Sequence, residues 1–71
     1  LYSRRNEHSK ALVNLRKALP VFKKLRNNIG IVMTLENIGF AEYRLKNYRT
    51  AEKYSLQSYN VAKKHNINTS L

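Results

Sequence analysis

The chain has 71 residues, 14 Lys and Arg against four Asp and Glu, a formal charge of +10, and no cysteine. That length holds at most one small domain; the missing cysteines exclude disulfides and thiolate zinc sites, and no run of about 18 apolar residues is available to cross a bilayer. The basic excess favours acidic partners through a field that salt screens, while its spread over Arg16, Lys23, Arg26, Lys46, Lys53 and Lys63 is also the pattern of solvated helix faces.

The first predicted element covers residues 9–26. Ala11, Leu15, Ala18, Leu19, Phe22 and Leu25 recur at helical spacing and form one face, with Ser9 as N-cap and Asn27-Asn28 as the stop. Pro20 deletes a backbone hydrogen bond inside it, yet the apolar period runs on to Phe22 and Leu25, so a kink is expected rather than an end. The second element, 29–45, aligns Val32, Leu35, Ile38, Gly39, Glu42 and Leu45, and the polar pair Lys46-Asn47 closes it. The third, 48–66, aligns Tyr48, Ala51, Ser55, Ser58, Tyr59 and Ala62, which puts Tyr48 and Tyr59 on the buried face. No strand-like alternation persists. Breaks this short make neighbouring helices antiparallel, and the expected fold class is all-α.

Gly39 narrows the architecture. A glycine inside a helix costs about 1 kcal/mol relative to alanine, so it implies a helix approaching closely, and Ala51 is the small residue it should meet. The chain also repeats itself. Ala51 lies forty residues after Ala11 (51 − 11 = 40), and Ala11-x6-Ala18-Leu19-x-Val21-Phe22-Lys23-Lys24 parallels Ala51-x6-Ser58-Tyr59-x-Val61-Ala62-Lys63-Lys64. Self-similarity at such a period is the mark of a solenoid, in which each unit buries its apolar face against a neighbour.

The pattern W-x2-L-G-x2-Y followed by A-x3-F is met by Leu35-x2-Ile38-Gly39-x2-Glu42 and Ala51-x3-Ser55, so the chain resembles the tetratricopeptide repeat family. Leu35, Glu42 and Ser55 depart from the Trp, Tyr and Phe of the pattern, Tyr43 comes one place late, and no Pro closes the unit; counting back forty places Tyr2 and Leu15 in the Tyr and Phe slots of the preceding unit. The forty-residue period resembles the long-helix variety of kinesin light chains and of bacterial peptide-sensing and signalling regulators. The resemblance implies a fragment, about three helices long, of a right-handed α-solenoid of antiparallel hairpins, a single fragment over 1–71. In it, 1–28 hold the last turn of one helix A (1–6) and its helix B (9–26), 29–68 are a second unit, and 69–71 begin the next. With no initiator Met and barely two repeats, the sequence reads as part of a longer chain.

Catalysis is not expected. Glu7, Glu36, Glu42 and Glu52 form no acid/base motif, and His8 and His65 lack a ligand partner at helical spacing. His65 suits a helix C-terminus. Gly30 and Gly39 stand nine apart within one helical stretch and make no phosphate loop, so neither cofactor nor metal is implied.

The resemblance instead implies a protein- or peptide-binding module, of a scaffold or signalling kind, expected in the cytoplasm. In such arrays the A helices line a groove. With Gly39 as the eighth residue of its unit, the groove positions are Met33, Glu36, Asn37, Phe40, Tyr43 and Arg44. Asn37 matches the groove asparagine that bonds a ligand backbone through both amide donor and acceptor, Arg44 suits a carboxylate, and Phe40 is either an aromatic anchor or a core residue for a neighbouring unit. The carboxylate-clamp subclass needs Lys and Asn where Glu36 and Phe40 stand, so that reading fails. The alternative is a basic helical module of a transcription regulator that contacts nucleic acid or an acidic partner, with Tyr43, Tyr48, Tyr54 and Tyr59 interleaved among the cations. Nucleic acid is disfavoured because Tyr48 and Tyr59 fall on the buried face, and membrane contact because helix packing consumes the apolar faces. Self-association through open solenoid ends, on the Tyr54, Leu56 and Val61 side, is expected.

Overall fold

Residues 4–67 are described by a computed structural model of the chain, and they form three α-helices: α1 (Arg4–Lys24), α2 (Asn28–Arg44) and α3 (Tyr48–Lys64). Among the described residues there is no strand, so the fold is all-α, as the periodicity requires. Phe22 meets Gly30 while Arg16 meets Glu42, and Gly39 meets Ser55 while Ser58 meets Val32. Ascending numbers on one helix pair with descending numbers on the next, so consecutive helices are antiparallel. α2 lies between the other two, whose backbones do not come together.

Each helix ends in the same way. Arg26, Lys46 and Asn66 have φ of 54°, 66° and 54°, the left-handed conformation that closes many helices. Asn27, Asn47 and Ile67 then donate their N–H groups back to Phe22, Glu42 and Ala62 at 2.9, 2.8 and 2.8 Å. These are Schellman closures, which occupy the carbonyls a helix end leaves unpaired. They stand twenty residues apart (46 − 26 = 20; 66 − 46 = 20), half of the forty-residue period. Asn27 both closes α1 and caps α2, since its Oδ1 accepts from the Gly30 N–H at 3.0 Å.

α1 differs from expectation. It runs unbroken from Arg4 through Pro20 to Lys24, so Ser9 is inside a helix rather than capping one, and the described part of the anticipated separate turn over 1–6 is continuous with the rest of α1. The roles expected of Tyr2 and of 69–71 lie outside the described residues. Among the described residues of α1 only Leu12 is buried, at a position the expected face omits, whereas Leu25 is exposed. On α2 the whole expected face, Val32, Leu35, Ile38, Gly39, Glu42 and the C-cap Leu45, is buried, and Gly30, Ile31, Thr34 and Ala41 are buried with it. On α3 only Ala51, Ser58 and Ala62 are buried; Tyr48 and Tyr59 are exposed, which corrects their assignment to the inner face. The reason is steric. A Cβ added to Gly39 would sit 3.1 Å from Ser55 Oγ and 3.3 Å from the Ala51 carbonyl oxygen, so the two backbones cross closely and only small side chains fit between them.

The core is built on Val32, Leu35 and Ile38 of α2, with Ile31, Ala41, Leu45, Ala51 and Ala62 around them, and Leu12 of α1 joins it beside Ile38, Ala41 and Leu45, flanked by Leu15, Leu19 and Tyr54. Its polar members are all bonded: Thr34 Oγ1 donates to the Gly30 carbonyl at 2.7 Å and Ser58 Oγ to the Val32 carbonyl at 3.3 Å. No helix of the described residues is long and apolar enough to cross a membrane.

Candidate peptide-binding face

Burial of α2 on two sides leaves one strip of it in solvent. Met33, Glu36, Asn37, Phe40, Tyr43 and Arg44 are all exposed and occupy that strip. They do not form one uniform surface. Asn37 and Phe40 lean towards α1 and line an open cleft of about 410 Å³ with His8, Ala11, Asn14, Leu15 and Ala41. Glu36 leans the other way, into a hollow of about 250 Å³ beside Ser55, Ser58 and Tyr59 of α3. Tyr43 packs edge-on against Tyr48, with ring centroids 5.4 Å apart. Met33, one turn before Asn37, is exposed.

Phe40 is the pivot of the cleft. It is exposed. The His8 ring meets it edge-on at 6.2 Å, and the Arg44 guanidinium lies 5.4 Å above its face, within cation–π range. The floor of the cleft is apolar, and an amide stands on each wall, Asn14 from α1 and Asn37 from α2. His8 and Asn14 escaped the sequence reading because nothing in the spacing of α1 shows which of its residues look across at α2. His8, Ala11 and Leu15 stand at i, i+3 and i+7, but that relation is shared with many helix surfaces.

Near the other end of α2, Glu42 is buried where the tetratricopeptide pattern has Tyr. Arg16 Nη2 of α1 donates to its Oε2 at 2.8 Å, and Asn47 Nδ2, in the α2–α3 turn, donates to its Oε1 at 2.8 Å. Each carboxylate oxygen therefore accepts one hydrogen bond, which fixes the side chain between α1 and the α2–α3 turn. It is the only ion pair among the described residues. No three His, Asp or Glu side chains of the described residues gather where they could hold a metal.

Comparison with known proteins finds no family model, no curated protein and no solved structure that matches the chain.

Proposed function

We propose that the chain is a tetratricopeptide-like module of a longer scaffold or signalling protein, and that it binds a protein or peptide without catalysis. The observation that carries this reading is the cleft between α1 and α2, with its apolar floor and two opposed amides. An amide offers a donor and an acceptor side by side, which is what an extended backbone presents in return. Asn14 and Asn37 suit the two edges of such a segment, Phe40 suits an apolar side chain, and Arg44 suits an acidic neighbour.

Asn37→Ala tests the reading. Helicity by circular dichroism should be unchanged, and a peptide selected from a library against the parent chain should bind about 1–3 kcal/mol more weakly, because a buried backbone amide loses its partners. Equal affinity in calorimetry would move the site away from this face. A loss of affinity linear in log salt, with a steep slope and no dependence on Asn37, would favour the nucleic-acid alternative.

A further inference from the structure

The four acids of the chain stand at 7, 36, 42 and 52, so 8–35 and 53–67 contain none. Lys23, Lys24 and Arg26 at the end of α1 and Lys63 and Lys64 at the end of α3 fall in those acid-free stretches, and all five are exposed. The fold brings them together. Arg26 and Ile29 share a hollow with His65 and Ile67, so the α1–α2 turn and the C-terminus of α3 adjoin at one end of the molecule.

Helix dipoles explain part of this arrangement, since lysines are favoured in a last helical turn. They do not explain the apolar side chains between the lysines. Leu25 is 68% exposed, Ile29 59% and Val21 54%. Nor is the turn loosely closed: the Asn27 N–H and Oδ1 bonds fix it from both sides, and Phe22 fills its inner face so closely that a Cβ on Gly30 would come within 2.5 Å of the ring. Leu25 and Ile29 thus project from an ordered tip.

We infer that this acid-free end docks peripherally on an anionic lipid surface, with Leu25 and Ile29 entering the headgroup region and the five cations meeting acidic headgroups. An end that carries exposed aliphatic side chains among five exposed cations suits a deformable interface, where shallow apolar burial and charge attraction add. Nucleic acid would reward the cations but not Leu25, Ile29 or Val21, which offer no ring to stack on a base. The expectation that helix packing consumes the apolar faces does not hold at this turn. Docking here involves neither Asn37 nor the cleft, so it stands or falls separately from the peptide-binding reading.

The test is sedimentation of the chain with mixed phosphatidylserine–phosphatidylcholine vesicles against phosphatidylcholine alone. The expected result is binding to the mixed vesicles only. It should weaken about 25-fold in the double variant Lys24→Gln, Arg26→Gln, at about fivefold per cation, and markedly in Leu25→Asn, Ile29→Asn with helicity retained. Leu25→Trp gives an independent readout, a blue-shifted emission on mixed vesicles, and it decides the matter if the double Asn variant loses structure. No preference for phosphatidylserine overturns the inference, as does a Leu25→Trp emission unmoved by vesicles. Binding to duplex DNA or to polyglutamate that exceeds vesicle binding and ignores Leu25 and Ile29 overturns it in favour of nucleic acid or an acidic protein.

Discussion

Glu42 shows how a single residue ties three elements together. Its side chain is 5% exposed, while that of Arg16 is 54% exposed, so the two ends of the ion pair experience different surroundings. Removing the carboxylate returns Arg16 to water at little cost, whereas removing the guanidinium leaves a buried charge with Asn47 as its only partner. Arg16→Ala should therefore destabilise the fold by about 1–3 kcal/mol, and Arg16→Ala with Glu42→Leu should recover much of that loss, because an apolar side chain suits the site once the charge is gone. Urea unfolding monitored by circular dichroism measures both. If Arg16→Ala proves as stable as the parent, Glu42 does not depend on its partner. None of this was legible in the sequence, where Glu42 reads as a departure from a Tyr slot and Arg16 as one cation among many. Twenty-six positions separate them, and only the α1–α2 packing makes them neighbours.

Helices were legible in proportion to how much of them is buried. α2 is enclosed on two sides, so its apolar pattern is broad and every residue of the expected face is inside. α1 packs on one side only. Its stripe is narrow: Leu15, Leu19 and Phe22 of the expected face are half-buried against α2, Leu12 beside them is the buried residue, and Leu25 fell beyond the helix into the turn. On α3 hydropathy pointed to the tyrosines, but the crossing at Gly39 selects for size, and Ala51, Ser58 and Ala62 take the inner positions. That selection makes a prediction for the α2–α3 pair. Ala51→Leu forces extra carbons against a backbone already at contact distance and should cost about 1–3 kcal/mol, seen as a lower melting temperature by circular dichroism. A melt equal to or above that of the parent would remove the close crossing as the determinant of this pairing. The cleft was half legible: Asn37 and Phe40 came from the resemblance, whereas His8 and Asn14 depend on how α1 is rotated against α2, which periodicity leaves open by tens of degrees.

For the molecule as a whole, exposed apolar surface and charge act against each other. Leu56 and Tyr59 on the outer side of α3, and Met33 on α2, remain in solvent, and a second copy could cover them at the cost of bringing two chains of +10 together. Self-association should therefore grow with ionic strength, the reverse of what salt does to most contacts between charged partners. Light scattering across a salt series measures it; a monomer at high concentration in both low and high salt would show that these side chains are too scattered to form an interface. The outer side of α3 was partly legible, since Leu56 is open as expected while Tyr54 turns inward to flank the core.

The position of α2 between two helices whose backbones stay apart also determines how the chain can reach its fold. Tertiary contact runs between sequence neighbours, α1 with α2 and α2 with α3, across connections of three residues closed by their own hydrogen bonds. Little loop entropy is lost before contact is rewarded, which is the circumstance of rapid folding. Both hairpins, α1–α2 and α2–α3, share the same central helix. Whichever hairpin closes first presents α2 already formed to the remaining helix, so cooperativity in this molecule is transmitted through a single shared element.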